Sequence, residues 1–245
     1  MRAARDRFFR RYWQTPAWFR GEVYDYEGFA CEASEYAYEL LAPLGGARVL
    51  ELGTGQGYDA IALAERGARV VAADLAEAPL RSLREKNVSG ASIRPVCMLA
   101  EELACRSACF DRIFGRTVLL HVLRPSVWHE VERVLKSGQR AVFIEPLRVS
   151  PLVVLYRIAR GKGRSARPRY LSLGEIIRLN TRFRTVEHRE FYLISVLALG
   201  LRPVLSRIGL YWRAVGILKR LDEVVFDLLP WARHLAWIAV FAVER

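Results

Sequence analysis

Two acids and three glycines lie close together in the first third of the chain, and their types and spacing suggest a cofactor site. Glu51 lies in the apolar run Val49–Leu52, and Gly53, Gly55 and Gly57 follow it at alternate positions. Asp74 ends a second apolar run, about 20 residues after the first glycine. Glycine allows a tight turn and close approach of a ligand to the backbone. A carboxylate at the tip of the second strand can accept hydrogen bonds from two ribose hydroxyls, so a nucleoside-containing cofactor is predicted.

The glycine spacing distinguishes between nucleoside cofactors. Dinucleotide folds use G-x-G-x-x-G and place a pyrophosphate at a helix N-terminus. Here the pattern is E-x-G-x-G-x-G, which resembles the S-adenosylmethionine loop of class I methyltransferases, in particular the small-molecule, type 11-like members. That cofactor has no phosphate but carries an amino group and a sulfonium, which suits the nearby acids. The resemblance extends over about residues 47–147, and a glycine-rich turn of an unrelated α/β protein is the alternative.

The resemblance implies a set of cofactor-binding residues in the loop and at the ends of the following strands. They are Glu51, Gly53, Thr54, Gly55, Gly57, Asp74, Leu75, Leu99, Ala100, Glu101 and Arg116. One position departs from the family, because Leu99 stands where an acid usually binds the adenine amine. Either Glu101 replaces that acid, or Ala100 holds the ring through its backbone alone.

Further candidates concern the chemistry and the acceptor. His121 follows the fourth predicted strand, and ligands of open parallel sheets bind at the carboxyl ends of strands. It is therefore the predicted general base, with a half-buried histidine bonded to backbone as the alternative. The candidate substrate-binding residues are Tyr12, Trp13, Tyr24, Glu145, Tyr192 and Trp212. No metal site is predicted, since the four cysteines form no C-x-x-C pair.

The predicted fold is α/β, a Rossmann-like seven-stranded and mostly parallel sheet with helices on both faces. The resemblance implies that the last strand enters antiparallel. Apolar residues at helical spacing between residues 204 and 229 predict a helix, and the predicted strands on either side are 182–193 and 231–243. Residues 194–230 therefore form a predicted helical insertion between the last two strands. The chain is predicted to be one domain, 1–245, with an N-terminal lid and helices (1–45), a cofactor-binding core (46–147) and a substrate-side half (148–245).

Charge suggests an anionic partner. The formal net charge is +12, and residues 160–169 hold Arg160, Lys162, Arg164, Arg167 and Arg169 without an acid. Nucleic acid, an acidic substrate or an anionic membrane surface would each suit this pattern. No apolar run approaches the roughly 18–20 residues of a membrane span. The predicted location is the cytoplasm, or the periphery of a membrane.

These patterns predict an S-adenosylmethionine-dependent methyltransferase that acts on a small, lipophilic acceptor at oxygen or carbon. The apolar insertion, with Tyr192 and Trp212, could line the acceptor pocket. One alternative is an RNA methyltransferase that uses the arginine-rich loop as a phosphate track, although no Asn-Pro-Pro-Tyr-like element follows the fourth strand. The other is a non-catalytic binding protein that retains the fold.

Overall fold

Seven strands form one sheet in the computed structural model, which describes residues 29–85, 92–151, 154–155, 168–207 and 209–245. The strands are β1 Arg48–Leu52, β2 Arg69–Asp74, β3 Ile93–Cys97, β4 Phe110–Arg116, β5 Leu135–Pro146, β6 Thr185–Phe191 and β7 Ile238–Glu244. The helices are α1 Cys31–Leu41, α2 Tyr58–Glu65, α3 Glu77–Glu85, α4 Arg124–Val134, α5 Leu173–Ile177, α6 Leu197–Arg207 and α7 Tyr211–Leu228, with 3₁₀ turns at Arg178–Thr181 and Pro230–Leu235.

The strand order is β3-β2-β1-β4-β5-β7-β6, and only β7 runs antiparallel to its neighbours. The predicted fold class, with its antiparallel last strand and its helical insertion, is therefore confirmed. The chain direction of the sheet switches sides between β1 and β4, and the glycine loop leaves β1 at this point. In open α/β sheets the crevice at such a switch point is where ligands bind.

Apolar layers cover both faces of the sheet, which is why β1 and β5 read as nearly continuous apolar runs. On one face α1 and α2 pack through buried residues such as Ala37 and Leu63. On the other face α4 packs through Val127 and Val131. Both helix layers bring their ends to the carboxyl edge of the parallel strands.

The insertion differs in detail from its prediction. The single predicted helix, residues 204–229, is two helices, α6 and α7, because Gly209 adopts a φ of +67° between them. The predicted strand from residue 231 begins only at Ile238, because Pro230 opens a 3₁₀ turn. The predicted strand 182–193 is shortened to β6.

Two other predicted elements can be compared directly. Ser172 was expected to begin a helix, and it does so as one half of a capping box with Glu175. That helix ends at Ile177 and continues as a 3₁₀ turn. A turn was also expected at residues 136–138, but β5 begins directly after α4, because Leu135 already pairs with Phe110 across a register shift.

Candidate functional site

The glycine loop is shaped by backbone geometry that excludes side chains. Gly53 has a φ of +70°, and its N–H donates to the carbonyl of Ala73 in β2 at 2.8 Å. A Cβ at Gly53 would lie 3.0 Å from the side chain of Val118. Gly57 has a φ of +79°, and a Cβ there would lie 2.5 Å from Leu83 of α3. The loop therefore needs glycine at both ends, for its conformation and for close packing.

Asp74 lies at the tip of β2 and contacts the loop directly. One carboxylate oxygen accepts the N–H of Gly55 at 3.0 Å, and the other accepts the N–H of Ala76 at 2.8 Å. Burial raises the pKa of Asp74, while these backbone hydrogen bonds oppose the shift. Because a carboxylate offers about four lone-pair positions, each oxygen can still accept a hydroxyl from a ligand. The predicted pairing of the loop with Asp74 is thus present in the structure.

Glu51 is buried beneath the loop. The Thr54 hydroxyl donates to its carboxylate at 2.5 Å, so both predicted residues share one contact. Burial raises the pKa of Glu51 to about 8, and the nearby charge of Asp59 acts in the same direction. At neutral pH this carboxyl is largely protonated without a ligand, and a cation placed beside the loop would favour its ionised form.

A network around Asp59 completes this side of the site, and no sequence pattern pointed to it. The guanidinium of Arg116 donates two hydrogen bonds to Asp59, at 2.7 and 2.8 Å, and one to the hydroxyl of Ser34 at 2.9 Å. The Tyr38 hydroxyl donates to Asp59 at 2.6 Å. Arg116, a predicted cofactor residue, therefore ties α1 to the first turn of α2. The only local signal was an acid, Asp59, two residues after Gly57.

The segment after β3 forms an apolar wall on the other side of Asp74. Leu75, Leu99 and Ala100 are half-buried. The Glu101 carboxylate accepts the N–H of Leu123, just before α4, at 3.0 Å. Glu101 therefore braces the start of α4 while it lies next to the predicted position of the adenine ring.

The turn after β4 is held from below by Glu145, at the end of β5. One oxygen of this buried carboxyl accepts the N–H groups of Val118 and Leu119, both at 2.8 Å. Its other oxygen has no hydrogen-bond partner among the residues described. Burial raises the pKa of Glu145 to about 8, against the effect of the backbone hydrogen bonds. Glu145 supports the site through the backbone rather than by facing an open pocket.

His121 closes the same turn. Its N–H donates to the carbonyl of Val118 at 3.0 Å, and its side chain is half-buried. Thr117, with a φ of +54°, redirects the chain out of the sheet before this turn. The structure thus places His121 at the carboxyl edge of β4, one turn from the glycine loop contact at Val118.

The remaining substrate candidates are dispersed. Tyr192 is buried, packs against Phe29 with ring centroids 4.9 Å apart, and accepts the N–H of Ala33 with its hydroxyl. Trp212 is 60% exposed at the start of α7, with its ring against Tyr211. Neither side chain contacts the glycine loop in any hydrogen bond or ring contact of the described residues. Tyr12, Trp13 and Tyr24, and most of the basic segment 160–169, lie outside the described residues.

Neither a metal cluster nor a membrane span is found in the part of the chain that the structure describes. No three His, Cys, Asp or Glu side chains in that part are grouped so as to hold a metal ion. No helix within it is both long enough and apolar enough to cross a bilayer.

Comparisons with known proteins agree with this architecture. A family described as "Methyltransferase domain" matches residues 50–143. The biotin biosynthesis bifunctional protein BioHC of Cellvibrio japonicus is 38% identical over 119 residues, covering 48% of this chain and 23% of that protein. A ubiquinone biosynthesis O-methyltransferase of Pseudomonas aeruginosa is 33% identical over 120 residues, covering 48% of this chain and 51% of that protein.

A solved structure extends the likeness to nearly the whole chain. Geranyl diphosphate C-methyltransferase from Streptomyces coelicolor A3(2) superposes with a TM-score of 0.61 at 14% identity, covering 94% of this chain and 85% of the other. At that identity the likeness concerns the fold alone. The sequence matches cover between 23% and 51% of the length of the two curated relatives described above. The sheet order, the glycine loop with Asp74 and the matched methyltransferase domain show that this chain belongs to the class I S-adenosylmethionine-dependent methyltransferase family.

Proposed function

We propose that the protein transfers a methyl group from S-adenosylmethionine to a small, lipophilic acceptor, at oxygen or carbon. The observation that carries the proposal is the contact between Asp74 and Gly55 at the sheet's switch point. It places a carboxylate with free acceptor positions beside a loop that side chains would fill.

The residues around that contact suit the cofactor's chemical groups. Asp74 would accept the two ribose hydroxyls, and the half-buried Leu75, Leu99 and Ala100 would flank the adenine ring. Glu51 and Thr54, beneath the loop, would face the cofactor's positive end, where an ammonium group favours an ionised Glu51. Glu101 is available near the ring edge in place of the acid that the family usually has.

When bound, S-adenosylmethionine supplies a methyl group that is already activated for transfer by its sulfonium. The protein must then hold the nucleophile in line with that methyl group and, for a hydroxyl acceptor, accept one proton. His121 lies at the carboxyl edge of β4 and is the proposed base for that proton. Glu145 fixes the turn that carries it.

A lipophilic acceptor is supported by the apolar insertion and by the names of similar proteins. Relatives and fold neighbours include enzymes named for ubiquinone biosynthesis and for geranyl diphosphate methylation. We propose that residues 148–245 form the acceptor-side half of one domain, with Tyr192, Trp212 and the N-terminal Tyr12, Trp13 and Tyr24 as candidate contacts. Such an acceptor would be met at the periphery of an anionic membrane.

Cofactor binding is tested by calorimetric titration with S-adenosylhomocysteine. Asp74→Ala should weaken affinity by about 100-fold or more, because each lost charge-assisted hydrogen bond is worth ~1.5–3 kcal/mol. Asp111→Ala is the matched control, since Asp111 also accepts a backbone N–H, from Arg48, but at the opposite edge of the sheet. Equal affinity in the Asp74→Ala and Asp111→Ala variants would overturn the proposed site. Mass spectrometry of reactions with S-adenosylmethionine and candidate quinols or phenols then tests transfer itself.

A further inference from the structure

The helical insertion exposes an apolar face that nothing in the described chain covers. On α7, Ile217, Leu221, Val224 and Leu228 are between 43% and 73% exposed. Their spacing of four, three and four residues aligns them along one side of the helix. On α6, Leu197, Leu201 and Val204 repeat the same spacing with exposures between 52% and 61%. We call these two rows together the insert face.

The ends of α7 carry side chains suited to an interface between apolar and polar phases. Trp212 at its start is 60% exposed, and Trp231, just after its end, is 63% exposed. Tryptophan is enriched where one end of a side chain meets an apolar phase and the other meets water.

The insert face is held outward by a fixed anchor. The buried carboxylate of Asp222, on the opposite side of α7, accepts the N–H groups of Leu193, Ile194 and Ser195 at 2.6 to 3.3 Å. It also accepts the Ser195 hydroxyl at 2.5 Å. Because this side of α7 is fastened to the end of β6, the apolar row cannot turn inward to be buried.

The charges around the insert face are mostly positive and unpaired. Within the described residues, no acid pairs with the exposed Arg207, Arg213 or Arg220. The two exposed acids of α7 are both engaged, Glu223 with Arg189 at 3.3 Å and Asp227 with Arg233 at 3.5 Å. An approaching surface therefore meets apolar side chains bordered by free guanidinium groups.

This charge pattern selects among the surfaces that could cover the insert face. A second copy would bring its own Arg213 and Arg220 against the same border, with the acids of α7 already paired, and like charges would oppose contact. An anionic bilayer instead offers acyl chains to the apolar row and phosphates to the arginines. Each basic residue near such a surface adds about 1 kcal/mol of attraction.

We infer that the insert face docks the protein on an anionic lipid membrane, with α6 and α7 lying in the plane of the headgroups. This inference rests on the proposed function, because a lipophilic acceptor dissolved in the bilayer would then reach the carboxyl edge of the sheet beside β6. It names the surface and the residues that make the contact.

Co-sedimentation with lipid vesicles tests the apolar part of the contact. The chain should bind vesicles of phosphatidylcholine mixed with phosphatidylglycerol, and Leu221→Asp should lower that partitioning roughly tenfold or more. Ile177→Asp is the matched control, because Ile177 of α5 is also 43% exposed, as is Leu221, but lies outside the insertion. Equal partitioning of the Leu221→Asp and Ile177→Asp variants would overturn the inference.

The electrostatic part has its own arm. The double variant Arg213→Gln/Arg220→Gln should bind the mixed vesicles more weakly and with a smaller dependence on salt. Its weak binding to phosphatidylcholine alone should not change. Unchanged binding to the mixed vesicles would contradict the role of the arginines.

Two further measurements separate other partners and the proposed function. Sedimentation velocity that shows a dimer dissociating in Leu221→Asp, without vesicle binding, would assign the insert face to a second copy instead. Retention of RNA at about 150 mM salt without vesicle binding would also overturn the inference. Calorimetry with S-adenosylhomocysteine on the same preparations reports the cofactor site separately. Failure there would contradict the proposed function and leave the vesicle result standing.

Discussion

At the scale of single residues, one carboxyl organises the turn that carries the proposed base. Glu145 accepts two consecutive backbone N–H groups with one oxygen, at Val118 and Leu119. Those amides lie where an irregular turn leaves β4, so no strand partner satisfies them. His121 inherits its position from this arrangement, three residues after Val118.

The role of His121 can be measured once a hydroxyl acceptor is known. His121→Ala should lower turnover by ~10²–10⁴-fold, the usual contribution of a positioned general base, and leave the affinity for S-adenosylhomocysteine nearly intact. His129→Ala, an exposed histidine on α4, is the control and should retain full turnover. A loss of less than about fivefold in His121→Ala would assign this histidine a structural role.

Residue roles that depend on local sequence could be predicted, and those that depend on distant partners could not. The glycine loop and Asp74 form a motif with a fixed separation, and the Asp74–Gly55 contact follows from it. Arg116 was expected at the cofactor, but its partner Asp59 lies 57 positions away in sequence, and only the packed helices bring the two together. No pattern of spacing announces such a contact.

At the scale of elements, α7 is the part of the insertion that the rest of the chain holds most firmly. Asp222 satisfies three backbone N–H groups after β6, and Lys219 donates to the carbonyl of Phe29 at 2.7 Å. The helix therefore joins the end of β6 to the segment that leads into α1. Because these contacts are polar and buried, each one is costly to leave unpaired.

Removal of this anchor should destabilise the whole fold. Asp222→Ala would leave buried N–H groups without acceptors, at ~1–3 kcal/mol for each unsatisfied group, so the free energy of unfolding in urea should fall by at least ~2 kcal/mol. Glu223→Ala is the adjacent control, since Glu223 is exposed, and its effect should stay within about 0.5 kcal/mol. Similar urea midpoints for the two variants would show that Asp222 is not an anchor.

The insertion also shows where element prediction from sequence ends. Helical periodicity identified the residues of α7 correctly, because its buried side repeats at helical spacing. The same periodicity gave no sign of the break at Gly209, where a single residue with positive φ starts a new helix axis. The face that remains exposed was likewise indistinguishable in sequence from a second buried face.

At the scale of the whole molecule, two buried carboxyls couple folding to pH. Burial raises the pKa values of both Glu51 and Glu145 to about 8, from an ordinary value of 4.5. Between those values the folded chain holds protons that the unfolded chain releases. Stability must therefore fall as pH rises through this range, and it should level off above pH 8.

The share that belongs to Glu145 can be isolated. Glu145→Gln keeps an oxygen for the N–H groups of Val118 and Leu119 and replaces the titrating group with a neutral amide. Its unfolding free energy should decline less steeply than that of the wild type, by up to about 1.4 kcal/mol per pH unit for the one proton removed. Urea unfolding of both proteins at several pH values from about 5 to about 9 measures the difference. Glu187→Gln, at an exposed carboxyl on β6, should follow the wild type throughout. If the Glu145→Gln curve also ran parallel to the wild type, the buried carboxyl would be ionised across the range, and some group outside its described contacts would have to stabilise that charge.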